Sequence, residues 1–323
     1  MKKIFTIGLV ILACISNSFS QEKYDFTVAQ DGTGNFTTIQ AAIDACKAFP
    51  DKPIVIFVKN GLYKEKVKVP SCNTHLTIKG ENVEKTILTY DDYFEKINRG
   101  RNSTFYTSTL LIEANDFRLE NITVENSAGP VGQAIALHVE GDRCIFSNCR
   151  IIGNQDTLYS AGETSRQCFT NCYIEGTTDF IFGEATVIFE NCTIHSKTDS
   201  YITAASTNKG KTYGFVFLNS KLTSEPRVTK AYLGRPWRDY AKVVFIRCEM
   251  GAHITAAGWA NWDKTERDKT AYYAEFENTG PGACIAGRVS WSKVLKPREA
   301  KNYTVEKVLK GYDDWKPVFK IKE

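Results

Sequence analysis

Two aspartates and two glutamines stand at closely similar intervals in the middle of the sequence. Asp156 and Asp179 are 23 residues apart, and Gln133 and Gln155 are 22 residues apart. If each interval is one coil of a repeating structure, all four side chains lie on one face of it. Two neighbouring carboxyl groups push their pKa values apart, which separates an acid from a base or nucleophile. From the residues alone, such a site and a purely structural ladder of turn residues are equally open interpretations.

Better-known arrangements of reactive residues are missing from the sequence. It contains no Gly-x-Ser-x-Gly, no phosphate-binding glycine loop, no dinucleotide fingerprint and no His-Glu-x-x-His. The histidines are scattered, and we expect each of them to be structural: His75, His138, His195 and His253. No Cys-x-x-Cys occurs among the 10 cysteines. We therefore expect no metal site and no cofactor.

A repeated hexad indicates the structure that would position the polar groups. Copies that read Phe-x-Asn-Cys-x-Ile begin at Phe146, Phe169 and Phe189, and weaker copies begin at Phe217 and Phe245. The cysteine positions and their equivalents fall 23, 20, 28 and 28 residues apart, a period typical of solenoids. Apolar and polar residues alternate as in a strand, and asparagine suits a turn or a side-chain ladder.

These repeats predict an all-β fold, a single parallel β-helix in which the cysteines are small buried hydrophobic residues. A β-sandwich with chance similarity between its strands is the weaker alternative. The only helix that we predict covers residues 39–46, is capped by Thr38 and ends before Pro50. It would close the N-terminal end of the stack, because repeat arrays need caps.

The N-terminal residues 1–20 predict a secretory signal peptide. Two lysines precede an apolar run over residues 4–15 that is too short to span a bilayer, and small or polar residues follow. We expect export to the periplasm or the medium, with lipid attachment at Cys14 as the competing interpretation. Nine cysteines would then remain, and an odd number argues against a fully paired disulfide framework.

Residues 21–323 are predicted to form one domain, since no linker divides them. The composition is that of a globular protein, with 42% hydrophobic and 24% charged residues, which excludes disorder. The formal charge of +4 is too small for a typical nucleic-acid binder. No later stretch is apolar enough for a membrane helix. We expect a monomer with neither a nucleic-acid partner nor a membrane span.

The segments that carry the polar residues resemble the catalytic blocks of the pectin methylesterases. They are residues 133–137, 155–159, 179–183 and 233–237, together with the further matching motifs 31–36 and 61–65. The resemblance extends along nearly the whole predicted mature chain. It implies a right-handed parallel β-helix that removes methyl groups from galacturonate esters, with methyl-esterified pectin or its oligomers as the partner and methanol as a product.

The resemblance implies a role for five polar side chains. Asp179 would attack the ester carbonyl as the nucleophile, and Arg235 would hold its charge and aim it. Asp156 would begin protonated, give its proton to the departing methanol and then take one from the hydrolytic water. Gln133 and Gln155 would donate hydrogen bonds to the oxyanion of the tetrahedral intermediates.

The resemblance also implies contacts with the sugar chain. Tyr159, Phe182 and Trp237 would line the cleft, because aromatic faces stack on sugar rings. Phe105 and Thr109 belong to a further stretch that resembles a substrate-contacting segment. The alternative for each aromatic residue is packing in the core.

Three other functions stay open at this point. A pectin depolymerase could use two carboxylates for glycoside hydrolysis, although paired glutamines suit an acyl-transfer oxyanion better. A relative of the family could act on another ester or thioester. A non-catalytic carbohydrate-binding solenoid would not need both aspartates.

Overall fold

The computed structural model describes residues 23–263 and 265–318. The predicted signal peptide and Cys14 lie outside the described residues. Within them, parallel strands wind into a right-handed β-helix. The prediction of an all-β solenoid is therefore confirmed. Strands are numbered β1 to β26 and α-helices α1 to α4 along the chain.

Three sheets, called A, B and C, form the walls of the solenoid, and neighbouring strands in each are parallel. Sheet A contains, in spatial order, β1 (Phe26–Val28), β2 (Ile54–Val58), β5 (Leu76–Gly80), β8 (Arg118–Glu120), β11 (Cys144–Ser147), β14 (Arg166–Thr170), β17 (Thr186–Glu190), β20 (Phe215–Leu218), β23 (Lys242–Ile246), β25 (Tyr272–Phe276) and β26 (Lys293–Val294). Sheet B contains β3 (Gly61–Lys64), β6 (Thr86–Tyr90), β9 (Thr123–Asn126), β12 (Arg150–Ile152), β15 (Tyr173–Gly176), β18 (Thr193–Ser196), β21 (Lys221–Ser224) and β24 (Glu249–Met250). Sheet C contains β4 (Val67–Val69), β7 (Leu110–Ile112), β10 (Leu137–Val139), β13 (Leu158–Ser160), β16 (Ile181–Gly183), β19 (Tyr201–Ala205) and β22 (Tyr232–Gly234).

Short helices lie at the ends of the stack and in its loops. The α-helices of the described chain are α1 (Ile39–Asp44), α2 (Phe94–Ile97), α3 (Pro297–Ala300) and α4 (Val305–Leu309). The 3-10 helices are Gly100–Tyr106, Arg267–Lys269, Pro281–Ala283 and Ile285–Gly287. No helix in these ranges is long and apolar enough to cross a membrane.

Each hexad turns the corner between sheets A and B. In the first copy, Phe146 lies in β11 with its side chain buried in the core, and Ile151 lies in β12. Asn148 lies between these two strands and has φ 50°. Asparagine tolerates this left-handed conformation better than most residues. The hexad therefore consists of two strand ends joined by a turn, not of one continuous strand. The turn predicted at asparagine is confirmed, and it recurs at Asn121, Asn171, Asn191 and Asn219.

The hexads build the core as continuous rows of identical side chains. The rings of Phe146 and Phe169 stack at 4.3 Å, and those of Phe217 and Phe245 stack at 4.2 Å. The cysteines of the repeat are buried free thiols, as predicted. Their Sγ atoms also donate hydrogen bonds to the preceding coil, for example from Cys172 to the Phe146 carbonyl at 3.4 Å. Burial thus removes these thiols from solvent while leaving them a partner.

Helix α1 closes the N-terminal end of the core, as predicted. Thr38 Oγ1 accepts a hydrogen bond from the Ala41 N–H, and the buried side of α1 covers the apolar interior. The Glu65 carboxylate accepts from the N–H groups of Ile39 at 2.8 Å and Gln40 at 3.0 Å. Glu65 is therefore a structural cap, because it satisfies N–H groups that the first turn of a helix leaves open. The helix ends two residues earlier than predicted.

Helices α3 and α4 were not predicted from the sequence. They lie against the outer face of sheet A, where Val308 and Leu309 pack with Ile188 and Val216. Arg166 Nη1 donates to the Leu309 carbonyl at 3.2 Å. Helices this short have no visible periodicity and depend on tertiary packing, so the sequence pattern could not reveal them.

Candidate active site

The coil step brings the four predicted side chains to one place beside sheet C. Leu158 of β13 pairs with Ile181 of β16, and each aspartate lies two residues before its strand. Gln133 and Gln155 form a parallel β-bridge on the adjoining coils. Neighbouring parallel strands are about 4.8 Å apart, so Asp156 and Asp179 are on adjacent rungs. The clustering predicted from spacing is confirmed.

Both aspartates sit in an unusual backbone conformation. Asp156 has φ 63° and Asp179 has φ 49°, in the left-handed region. The Asp156 N–H donates to the Thr178 carbonyl at 3.1 Å, and the Asp179 N–H donates to the Tyr201 carbonyl at 2.8 Å. Aspartate, like asparagine, tolerates this conformation better than most residues, and the adjoining coils hold both backbones in place.

Arg235 follows β22 and reaches back to Asp179. Its Nε lies 3.0 Å from Asp179 Oδ1 and its Nη2 lies 2.7 Å from Oδ2, a bidentate ion pair. The guanidinium is held between two rings, 4.0 Å from the centre of Tyr201 and 3.9 Å from that of Trp262. Burial raises the pKa of Asp179, and the hydrogen bond and charge of Arg235 counteract that rise. The pair therefore fixes the orientation of this carboxylate and favours its ionised form.

Asp156 is as buried as Asp179, with 6% of each exposed, but has no cation paired with it among the described residues, and its pKa is the more strongly raised of the two. Burial raises the pKa of Asp156 well above its usual range, and the charge of Asp179 raises it further. A hydrogen bond from Gln133 and the charge of Arg235 act against these effects. The site thus holds one carboxyl group that favours its proton beside one that is paired with a cation.

The glutamines present their amides to the same cavity. Thr104 Oγ1 donates to Gln133 Oε1 at 2.8 Å, which directs the NH₂ group of Gln133 the other way, towards Asp156. The Gln155 side chain lines the cavity and makes no hydrogen bond to another described residue. Its amide is therefore available to a ligand. Together the two glutamines can offer N–H donors beside the carboxyl groups.

The cavity has a volume of about 400 Å³ and is open to solvent on one side. Its aromatic lining includes the predicted residues Phe105, Phe182 and Trp237. Tyr159 lies next to this lining, with its ring stacked 4.6 Å from that of Phe182. No group of three or more His, Cys, Asp or Glu side chains within residues 23–263 and 265–318 could hold a metal ion.

The structure separates Thr109 from the other predicted site residues. Its side chain is fully buried, and its hydroxyl donates to the Glu125 carbonyl at 2.8 Å. A substrate cannot reach this side chain, so the predicted substrate contact of Thr109 is wrong and its role is structural. The polar residue before a strand faces inward here because the neighbouring coil supplies a carbonyl for it.

Several lining residues were missed by the sequence analysis. Trp262, Arg101 and Arg238 border the cavity, and Tyr201 supports Arg235 from one side. Tyr201 stands 22 residues after Asp179, so the coil step could have identified it. The other three come from loops outside the repeat and carry no periodic signal.

Comparison with known proteins identifies relatives along nearly the whole chain. The family model described as Pectinesterase matches residues 25–312. Pectinesterase 31 of Arabidopsis thaliana is 39% identical over 284 residues, which are 85% of this chain and 89% of the relative. Probable pectinesterase/pectinesterase inhibitor 23 of the same plant is 39% identical over 310 residues, 91% of this chain. The chain spans only 54% of that longer relative.

Solved structures of similar sequence share the fold. A pectin methylesterase from carrot superposes with a TM-score of 0.85 at 33% identity, covering 91% of this chain and 95% of the carrot chain. A pectin methylesterase in complex with a hexasaccharide gives a TM-score of 0.79 at 28% identity, covering 93% of this chain and 100% of the other.

Proposed function

The chain belongs to the pectinesterase family, and on this basis we propose that it hydrolyses the methyl esters of galacturonate units in pectin or its oligomers. The observation that carries the proposal is the unlike environment of two adjacent carboxyl groups. Asp179 is held by the bidentate guanidinium of Arg235, whereas burial favours the protonated form of Asp156. This difference provides a nucleophile and an acid in one cavity.

The first half of the reaction forms an acyl-enzyme. An oxygen of the Asp179 carboxylate bonds to the ester carbonyl carbon, and the carbonyl oxygen becomes an oxyanion. Gln133 and Gln155 donate hydrogen bonds to that oxyanion, which is stronger as an acceptor than the ester oxygen was. The bond to the methoxy oxygen then breaks, and Asp156 gives its proton to the departing methanol.

The second half returns the site to its starting state. A water molecule attacks the anhydride that joins galacturonate to Asp179, and the ionised Asp156 takes a proton from this water. The anhydride bond breaks to release the free galacturonate and the Asp179 carboxylate. Arg235 then pairs again with the full negative charge of Asp179.

The aromatic lining gives the sugar chain its position. Phe182 lies edge-on to Trp237 with ring centres 5.8 Å apart, and Phe105 approaches Tyr159 at 5.2 Å. These rings form an apolar wall beside the carboxyl groups, against which sugar rings stack. Orientation by this wall brings the ester to Asp179 in a reactive geometry.

One assay distinguishes this reaction from the alternatives. Highly methylated pectin is incubated with the full chain, and methanol, new reducing ends and unsaturated products are followed together. We expect methanol alone, and no methanol from Asp179→Asn, whose nearly isosteric change should leave the melting temperature close to that of the wild type. Chain scission without methanol would identify a depolymerase, and full activity of Asp179→Asn would exclude it as the nucleophile.

We further propose that residues 21–323 act as one monomeric catalytic domain after export directed by residues 1–20. Mass spectrometry of the exported protein tests this directly. A mature N-terminus near Gln21 is expected, whereas a lipid-modified chain beginning at Cys14 would replace this proposal. Light scattering of the purified protein checks the monomer.

A further inference from the structure

Two lysine side chains approach one tyrosine ring near the C-terminal end of sheet A. Lys242 is the first residue of β23, Lys293 is the first residue of β26, and β25, which begins with Tyr272, lies between these strands. The Lys293 Nζ atom lies 4.4 Å from the centre of the Tyr272 ring, and the Lys242 Nζ atom lies 5.9 Å from it. These three side chains form one small surface, which we call the lysine–tyrosine patch.

The patch faces outward on a different wall of the solenoid from the two aspartates. Lys242 and Tyr272 are partners in the parallel pairing of β23 with β25, and the residues that follow them, Val243 and Tyr273, belong to the core. Successive side chains of a strand point to opposite faces, so Lys242 and Tyr272 point away from the core. The aspartates precede strands of sheet C, and none of the patch residues lines their cavity. The patch is therefore a separate surface.

No acidic side chain neutralises the patch. Within the described part of the chain, neither lysine forms an ion pair with a carboxylate, and Lys242 Nζ donates to the Thr212 carbonyl at 3.4 Å. Lys242 is half-buried, and both this burial and the charge of Lys293 lower the pKa of Lys242. Two ammonium groups held together in this way favour the arrival of an anion, which relieves their repulsion.

The patch is supported by a well-packed part of the molecule. Tyr272 and Tyr303 pack against the apolar cluster between sheet A and the C-terminal helices. The Tyr303 ring meets the Tyr213 ring edge-on at 5.6 Å, and the Tyr213 hydroxyl donates to the Asn302 carbonyl at 3.0 Å. The Tyr272 ring is therefore in place before a ligand arrives, which reduces the entropy cost of binding.

We propose that the lysine–tyrosine patch binds an acidic polysaccharide, namely a stretch of free galacturonate units, through its carboxylates. The inference rests on the proposed function, because that reaction converts neutral esters into such a stretch. An ammonium group donates charge-assisted hydrogen bonds to a carboxylate, and the tyrosine ring offers the sugar an apolar surface. The strands that carry the two lysines are about 10 Å apart, which suits an extended chain with repeated charges better than one small ion.

This binding gives the enzyme a second attachment to polymer that has already been processed. A chain held at the patch keeps its remaining esters at a high local concentration near the cavity. Long, partly hydrolysed chains benefit from this attachment, whereas short methylated oligomers carry no charge for the patch. Each lysine should contribute about two- to fivefold to the affinity, the range of exposed ion pairs, and the contribution should fall at high salt.

Lysine footprinting of the full chain tests the patch directly. The protein is treated with an acetylating reagent, with and without an unmethylated galacturonate hexamer, and mass spectrometry follows the acetylation of each lysine. We expect the hexamer to protect Lys242 and Lys293. Lys293→Gln should raise the hexamer concentration that half-protects Lys242 by about two- to fivefold. Lys85→Gln is the matched control and should leave that concentration unchanged, because it removes an equal charge from the exposed turn before β6.

Three further probes identify the ligand. A galactose hexamer, which lacks the carboxylates, should not protect Lys242, and equal protection by it would overturn recognition by charge. Inorganic phosphate and vesicles that contain phosphatidylglycerol supply negative oxygen atoms from other sources. Protection of Lys242 by either one as strong as that by the galacturonate hexamer would overturn the assignment to a polysaccharide. Equal protection of Lys85 by the galacturonate hexamer would overturn the patch as a specific site.

Methanol release from a methylated galacturonate trimer separates this inference from the function on which it rests. We expect Lys293→Gln to release methanol at the wild-type rate and to have the wild-type melting temperature. Methanol release by the wild type without protection of Lys242 would overturn the patch and leave the proposed function standing. Protection of Lys242 without methanol release would overturn the proposed function and leave the patch as a site for acidic polysaccharides.

Discussion

Replacing Gln133 by leucine tests the oxyanion contact and the proton balance of the site in one variant. The hydrogen bond from Thr104 to Gln133 Oε1 leaves the NH₂ group as the donor proposed for the oxyanion. Loss of one such donor lowers kcat by about 100- to 1,000-fold. KM should change little, because the oxyanion exists only in the transition state and the tetrahedral intermediates.

The same variant should shift the alkaline side of the pH profile upwards. Burial and the charge of Asp179 raise the pKa of Asp156, and the hydrogen bond from Gln133 lowers it in part. Asp156 must be protonated to release methanol, so activity falls as the pH rises through its pKa. Without Gln133 that pKa rises further, and the remaining activity extends to higher pH.

The assay is methanol release from a methylated galacturonate oligomer, with kcat and KM determined across the active pH range. Gln155→Leu is the matched control, because Gln155 lines the same cavity but makes no hydrogen bond to Asp156. It should lose a similar amount of kcat and keep the alkaline limb in place. A Gln133→Leu variant that keeps more than half of kcat refutes the oxyanion role, and an alkaline limb that moves to lower pH refutes the proton argument.

Three further perturbations examine the support of the site and the stability of the fold. Trp262→Ala removes one face of the aromatic pair around Arg235 and should lower kcat/KM by about two- to thirtyfold; unchanged kinetics would contradict a positioning role. Reducing agent should shift the melting temperature by less than about 1 °C, because the described cysteines are free thiols, and a large fall would reveal disulfides. Burial lowers the pKa of His253 to about 4. As the pH falls, the unfolded chain therefore binds a proton at His253 at a higher pH than the folded protein does, and the free energy of unfolding declines as the pH falls from about 6.5. His253→Gln should make the melting temperature less dependent on pH over that range, and an equally steep decline would contradict this.

The repeat made most of the candidate site predictable. A constant coil step places residues one period apart on adjacent rungs, so the spacing of Asp156 and Asp179 was sufficient to bring them together. Tyr201 lies one coil step after Asp179 and could have been predicted in the same way, but it was overlooked. Trp262 and Arg101 come from loops whose lengths differ from coil to coil. Their positions depend on tertiary contacts, which the spacing of the sequence repeat does not predict.

The fold was predictable to a similar extent and for the same reason. Rows of phenylalanine and cysteine indicated a stacked core, because each coil buries its apolar side chains against the next. The corner at Asn148 was harder to place, since alternation of polar and apolar residues looks alike in a strand and across such a turn. Thr109 was misassigned because a polar side chain before a strand can face either the solvent or a carbonyl of the neighbouring coil.

The C-terminal segment changes how such a stack can come apart. A linear array in which each coil touches only its neighbours can unravel from its last coil inward. Here residues 297–318 return from that end to the middle of the stack, where α4 lies against β17 and Arg166 pairs with Asp142 and Asp313. Peeling away the final coil must therefore also break contacts many coils earlier. The segment ties the last coil to the middle of the stack, so the molecule should unfold as one cooperative unit rather than coil by coil.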